Sequence, residues 1–251
     1  MMVKTVLITG CSEGGIGDAL AQEFYRQGVR VFATARDLGK IQHLKTVGLE
    51  TLQLDVTSEE SIQNAVTHIK KATGGKLDFL VNNAGIGRLL DAPSRHRLED
   101  SQEGVRHELL VRPSYGINCS CKAALHMLGD TLRLELAPFG VQVVTVITGL
   151  VNTAVFENQA QYLEVPENSL YRSLQTQINY SGSAEEWRPW TEPADFAVGV
   201  VANALKKISN VWYWHGAKTF LTWFAVTFLP HASLDFKWLQ ISGLNTLHGK
   251  K

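Results

Sequence analysis

Through the first half of the chain, apolar runs of strand length alternate with stretches whose apolar residues recur at helical spacing. Val3–Thr9 is a short apolar run, after which Ile16, Leu20 and Phe24 mark one face of a helix over Ile16–Gln27. Val29–Thr34 (VRVFAT) is rich in β-branched residues and predicts a second, buried strand. A helix around Leu38–Val47, a strand at Thr51–Val56, a helix opened by Ser58-Glu59-Glu60-Ser61 and a strand at Leu77–Val81 continue the alternation. Ser58 and Ser61 have the spacing of a capping box without its glutamate. In the second half, a helix from about Ser120 to Pro138 is stopped by Pro138 and Gly140, and the strand Val141–Ile147 (VQVVTVI) follows. A polar segment then runs to about Trp190, before a helix from Thr191 or Glu192 to Lys207 and a last strand at Val211–Trp214. Alternating βα units with short connections predict an α/β fold: one domain, with a doubly wound parallel sheet covered by helices on both faces.

Between Ile86 and Ile117 this pattern fails. Residues 88–112 are dense in charge, a helix over Arg95–Arg106 would be polar all round, and Glu108–Val111 is the only strand-like run. A regular βα unit needs about 11 helix and about 5 strand residues plus loops. A fourth helix and fifth strand are therefore expected to be degenerate or lacking. The domain reading is a nucleotide-binding domain over 1–215 with an atypical segment at 86–117, followed by an apolar, aromatic extension over 216–251. All six tryptophans lie in the last third, at Trp187, Trp190, Trp212, Trp214, Trp223 and Trp238. Thr219–Pro230 (TFLTWFAVTFLP) is almost wholly apolar, yet shorter than the roughly 18–20 residues of a spanning helix. It reads as a core or substrate-pocket helix packed on the domain. The alternative is a segment lying in a membrane interface, where Trp and Phe anchor well.

Charge adds an exclusion. The 24 basic and 24 acidic side chains cancel, and no basic run or stripe marks a nucleic-acid surface, so nucleic acid is not an expected partner. Cys11, Cys119 and Cys121 are odd in number and lack metal-ligand spacing, which points to a reducing compartment and to no metal site. The N-terminus enters a strand pattern at once and leaves no room for a cleavable signal peptide. A cytoplasmic location is expected, with peripheral attachment at an endoplasmic-reticulum or lipid-droplet surface as the alternative.

The chemistry begins at Thr9-Gly-Cys-Ser-Glu-Gly-Gly-Ile-Gly17, directly after Val6-Leu7-Ile8. A strand that ends in a glycine loop and opens a helix can hold a pyrophosphate. Gly10 can turn the chain at positive φ. The absence of Cβ at Gly14 and Gly15 lets backbone approach phosphate oxygens, and Gly17 lets the helix pack closely. Gly10, Ser12, Gly15, Ile16 and Gly17 are the candidate contacts of this loop. Arg36 follows the second strand, where a basic residue would grip a ribose 2′-phosphate, so it favours NADP (NADPH) over NAD; Glu13 argues mildly the other way. Asp55 is placed either to bond adenine or to cap a helix. Asn82-Asn83-Ala84-Gly85 ends the fourth strand, and Asn83 is the candidate adenosine-side contact there.

The glycine loop, Leu54-Asp55-Val56, Asn82–Gly85 and the Lys122-Ala123-Ala124-Leu125 run resemble the short-chain dehydrogenase/reductase family, whose fold is Rossmann-like. TGCSEGGIG, VFATAR, LDFLVNNAG and LRLELAPFGVQVVTV resemble its fungal subgroup related to 1-acyldihydroxyacetone-phosphate reductase. The likeness covers residues 3–87 and 122–153 well and the C-terminal part loosely. It implies an oxidoreductase that moves hydride between NADP and a carbonyl or alcohol, with a tyrosine four residues before a lysine. Lys122 matches that lysine, which bonds the nicotinamide ribose, and its ammonium would lower a phenol's pKa from about 10. Asn118 stands where the tyrosine belongs, and an amide has no proton to give in that range. Tyr115, seven residues before Lys122, and Ser114 are the remaining candidates for catalytic acid and serine. In a regular helix the Tyr115 phenol would lie roughly 5 Å further along the axis than an i−4 side chain. Thr148–Thr153 (TGLVNT) is similar to the family's nicotinamide loop, with Val151 backbone and the Thr153 hydroxyl meeting the carboxamide. Thr148 replaces the usual proline. The aromatic C-terminal third suggests a hydrophobic substrate, lipid-like or a secondary metabolite. The rival reading is a catalytically impaired dinucleotide-binding relic, or the product of an exon or reading-frame error across 86–121. The family's fourth helix commonly forms a dimer interface, so its replacement leaves the oligomeric state open.

Overall fold

The computed structural model describes residues 3–85, 116–153, 165, 167–169, 171–181, 188–230 and 232–247. Its strands are β1 (Thr5–Ile8), β2 (Arg30–Ala35), β3 (Glu50–Gln53), β4 (Phe79–Val81), β5 (Thr145–Thr148) and β6 (Trp212–His215). Its α-helices are α1 (Ile16–Arg26), α2 (Gln42–Thr46), α3 (Glu59–Thr73), α4 (Gly116–Leu136), α5 (Gln175–Ser181), α6 (Pro193–Ala204), α7 (Thr219–Phe228) and α8 (Asp235–Ser242). A 3₁₀ turn at Leu38–Ile41 leads into α2. The chain divides into two compact units, Met1–Gly85 with Glu192–Lys207 and Ile86–Thr191 with Ile208–Lys251.

In the first unit β1–β4 form one parallel sheet in the order β3-β2-β1-β4. Leu7 pairs with Phe32 on one side and Leu80 on the other. The central strands bury both faces, with Val6, Ile8, Val31, Phe32 and Ala33 all at 2 % exposure or less. That is why they read as continuous apolar runs rather than as alternation. α1 buries Leu20, Ala21 and Phe24, and α6, which packs against it, buries Phe196, Ala197 and Val201. Successive strands run outward from β1 to β3, then β4 returns to the other side of β1. The strand order therefore reverses between β1 and β4, the kind of switch point beside whose carboxyl ends open α/β sheets bind ligands.

Ser58 caps α3 by accepting from Ser61 N, and Ser61 Oγ in turn accepts from Asp55 N at 2.9 Å. The missing glutamate of the capping box is thus replaced by a serine that reaches a different backbone donor. Gly74 closes the helix at φ 68°.

In the second unit β5 and β6 pair in parallel from Thr145↔Trp212 to Thr148↔His215. The strand anticipated over Val141–Ile147 is shorter and later, because pairing begins only where β6 begins. Gly129 brings α4 against β5: a Cβ there would lie 2.6 Å from Thr145 Oγ1. Trp212 Nε1 donates to Asp130 Oδ1 at 2.9 Å and ties α4 to β6.

The expectation of a core helix at Thr219–Pro230 is corrected. α7 forms, but only Thr219 is buried, while Phe220 is 69 % and Phe228 60 % exposed. Apolar composition does not bury a helix when little packs over it. Among the described residues no helix is long and apolar enough to cross a membrane. The anticipated degeneracy of a fourth helix and fifth strand, including Glu108–Val111, falls on 86–115 and lies outside the described residues.

Asp78 joins the entry of β4 to β1: its Oδ2 accepts from Thr5 N at 2.9 Å and Thr5 Oγ1 at 3.1 Å, and Lys76 Nζ lies 3.0 Å from Oδ1. The Thr5 N–H, and next the Lys76 side chain, hold its carboxyl below the usual carboxylate range. The fold thus favours the charged form. That stabilisation is present above the unfolded value of 3.8 and is lost as pH falls through the lower folded value. Asp78→Ala should lower the thermal midpoint at pH 7, and the gap to wild type should narrow as pH falls below about 4. Melting curves across pH check this; a gap independent of pH would refute it.

Candidate functional site

At the carboxyl ends of β1 and β4 the backbone is packed without room for side chains. Gly10 turns at φ 72°, and a Cβ there would lie 2.8 Å from Ala84 Cα. A Cβ on Gly17 would overlap Gly10 O and Asn83 Nδ2. Asn83 Nδ2 donates to Thr9 O (2.9 Å) and Gly10 O (3.0 Å). Thr9 Oγ1 in turn accepts from the backbone N–H groups of Asn83 and Ala84, both at 2.9 Å. The Asn83 amide, a candidate adenosine-side contact, is thus committed to holding the loop. Thr9 is a site residue that spacing alone did not reveal.

The loop's N–H groups can be followed one by one. Cys11 N donates to Thr34 O, Glu13 N to Lys40 O, Gly14 N to Asp18 Oδ2 and Gly15 N to Ser12 O. The Gly14 and Gly15 N–H groups are therefore spent inside the protein, and what these two glycines offer a phosphate is the close backbone approach that a missing Cβ allows. Among the groups not so spent are those of the first turn of α1, where Ile16 and Gly17 have no intrahelical acceptor for their N–H groups and the N-cap Gly15 supplies no side-chain bond. An uncapped helix N-terminus beside a cradle that any Cβ would fill fits a dinucleotide pyrophosphate. Cys11 is fully buried, and burial pushes its thiol from 9.0 up to about 12, so it is not a nucleophile.

Arg36 is exposed at the end of β2, and its carbonyl accepts from Gln53 Nε2 at 2.9 Å. Asp55 Oδ1 accepts from Thr57 N (2.9 Å) and Thr57 Oγ1 (2.7 Å). These bonds, the backbone one first, hold its carboxyl below the usual range, with Arg36 a minor contributor. Asp55 shapes the turn before α3, while the cap itself is Ser58.

In the second unit Lys122 on α4 is 2 % exposed. His126, one turn further, has a buried Nδ1 with no partner among the described residues. Burial, and then the Lys122 charge, hold its pKa below the ordinary histidine value. Loop 148–153 is pinned on both sides. Leu150 N donates to Ala217 O (3.0 Å), Thr191 N to Leu150 O (2.8 Å) and Asn152 N to Thr191 O (2.9 Å). Gly149 faces Gly216 so closely that a Cβ would overlap it. Val151 and Thr153 are 3 % and 7 % exposed. Asn118 lies on α4 four residues before Lys122, and Ser114 and Tyr115 lie outside the described residues. Among the described residues no cluster of histidine, cysteine and carboxylate side chains could hold a metal ion.

This chain is 36 % identical to the short-chain dehydrogenase ptmH of Penicillium ochrochloron over 272 aligned positions, covering 96 % of this chain and 99 % of the relative. The chain belongs to the short-chain dehydrogenase/reductase family. A family profile described as short chain dehydrogenase matches residues 4–111. The NADPH-dependent 1-acyldihydroxyacetone phosphate reductase of Schizosaccharomyces pombe is 36 % identical over 201 positions, 67 % of this chain and 68 % of that protein. In fold, the chain matches a short-chain dehydrogenase from Streptomyces avermitilis with a TM-score of 0.69, at 23 % identity over 97 % of this chain and 98 % of that one. The Rossmann-like reading therefore stands, and so does the assignment to an oxidoreductase family that uses nicotinamide dinucleotides. The alignment with the Penicillium dehydrogenase runs longer than the 251 residues here, so that relative carries stretches with no counterpart in this chain.

Gly17→Ala should weaken dinucleotide binding by about tenfold or more, since the added methyl must displace the Gly10 carbonyl or the Asn83 amide. Fluorescence titration with NADPH measures it; unchanged affinity would show that this close approach is dispensable.

Proposed function

We propose that this chain is an NADP-dependent short-chain oxidoreductase acting on a carbonyl or alcohol of a hydrophobic small molecule, lipid-like or a secondary metabolite. The observation that carries the reading is the uncapped N-terminus of α1 beside a loop that excludes a Cβ at Gly10 and Gly17, with Arg36 at the end of the next strand. Ser12, Ile16 and Gly17 would meet the pyrophosphate, Gly10 and Gly15 would keep the cradle open, and Asn83 would hold its shape. Arg36 would pair with the 2′-phosphate and Asp55 would bond adenine through its second carboxylate oxygen. On the nicotinamide side, Lys122 would bond the ribose, and Val151 and Thr153 the carboxamide. The bound dinucleotide supplies or accepts the hydride. An NADPH-dependent name on a 36 % identical relative supports the choice of NADP over NAD.

Proton transfer is where this chain departs from its family. Asn118 offers an amide at the position of the phenol, leaving Tyr115 or a bound water as proton donor. With NADPH and a panel of hydrophobic aldehydes, the purified protein should oxidise the cofactor slowly, and Asn118→Tyr should raise the rate at least about tenfold. Arg36→Ala should weaken NADPH binding about tenfold and leave NADH unchanged. A flat absorbance trace with tightly bound cofactor, not rescued by Asn118→Tyr, would instead support the dinucleotide-binding relic.

The exposed face of α7 favours a second property of the same protein, peripheral contact with a lipid surface. Phe220, Leu221, Phe224 and Phe228 are all exposed, as are Phe236 and Leu239 on α8. Flotation with neutral phospholipid vesicles should carry the protein upward, and Phe220→Ser with Phe228→Ser should abolish this. Sedimentation of the wild type away from the vesicles would end the idea.

A further inference from the structure

Two side chains that the dinucleotide reading does not use hold the tip of the glycine loop. Asp18, in the first turn of α1, is 6 % exposed. Its Oδ2 accepts from Gly14 N at 2.9 Å and its Oδ1 from Gln22 Nε2 at 2.8 Å, while His43 Nε2 lies 2.9 Å from Oδ1. His43 sits on α2, beside the fully buried Leu44, so its ring is anchored to the second βα unit. Gly14 is in the left-handed region at φ 73°, and a Cβ there would meet nothing within 4 Å. No packing fixes this residue. The tip is fastened by the Asp18 bond and by the neighbouring bond from Glu13 N to Lys40 O, both of which lead to the segment 37–46.

A carboxylate is a costly choice at this point. The first turn of a helix favours negative charge, but here the same turn must accept a pyrophosphate. Asp18 is directed at Gly14, Gln22 and His43, which leaves the Ile16 and Gly17 N–H groups to the ligand. Without it a Gly-Gly tip would sample many conformations, and binding would have to order it.

We propose that Asp18 and His43 are positioning residues for the dinucleotide, locking Gly14 so that the first-turn N–H groups of α1 face the pyrophosphate before it arrives. This rests on the dinucleotide reading above. The pyrophosphate is common to NADPH and NADH, so the pair acts on both equally, unlike Arg36.

The test uses the full chain with Asp18→Ala, His43→Ala and His43→Gln, titrated with NADPH and NADH by fluorescence, alongside thermal midpoints and amide exchange of the unliganded proteins. Asp18→Ala should weaken both dinucleotides by the same factor, about tenfold. It should speed exchange at residues 12–17 and leave the midpoint near wild type. His43→Ala should act in the same direction. His43→Gln, whose amide nitrogen can reach the same carboxylate oxygen, should restore binding. Wild-type affinity in both alanine variants overturns the proposal, as does a loss confined to NADPH or a loss accompanied by faster exchange throughout the chain. A wild-type protein that binds neither dinucleotide overturns the cofactor reading and this proposal with it. Wild-type binding with unperturbed variants overturns this proposal alone.

Discussion

The first unit depends on how closely α1 can approach the end of β1. Gly17 lies against the Gly10 carbonyl and the Asn83 amide with no space for a methyl group, and Gly10 leaves none against Ala84. Around that contact the polar groups are interlocked: Asn83 bridges the Thr9 and Gly10 carbonyls, and the Thr9 hydroxyl collects two N–H groups from the end of β4. Strand, loop and helix thereby share one rigid junction. The helix dipole and its unspent N–H groups are aimed first by this backbone packing, to which the proposed Asp18–His43 lock on Gly14 adds.

The second unit repeats the device. Gly129 admits Thr145 against α4, and Gly149 and Gly216 touch where the 148–153 loop leaves the sheet. Lys122 is buried on α4 with His126 and Asp130 on the following turns, and Asp130 is held by Trp212. A histidine kept largely neutral by burial spares the lysine a second cation at one helical turn. In the proposed reading Lys122 is the ribose-binding lysine, and Asn118 stands four residues before it in the sequence, where the family's pattern has a tyrosine.

Much of this was legible along the chain, for reasons that differ by feature. Strands β1 and β2 were readable because a strand covered on both faces is mostly apolar and does not alternate. Ser58 was readable as a helix start because capping is local. The ends of β3 and β5 were not, since a strand stops where its partner stops, at Ala35 for one and Trp212 for the other. Thr9 and His43 escaped notice because their partners, at Val81–Ala84 and Asp18, are fixed by the crossing of elements and not by spacing. Thr219–Pro230 misled because apolar character measures the gain on burial, not whether anything is there to bury it.

By itself the sequence determined the alternation of strands and helices, the glycine loop and the absence of a tyrosine four residues before Lys122. These follow from local periodicity, backbone freedom and side-chain chemistry, which need no knowledge of distant neighbours. Tertiary structure alone decided which N–H groups of the loop are consumed internally and which are left for a ligand. It also decided that the Asn83 amide holds the loop and that the aromatic helix lies exposed. Each of those outcomes depends on which groups the fold brings within hydrogen-bonding or packing distance, and that is set by the meeting of segments tens of residues apart.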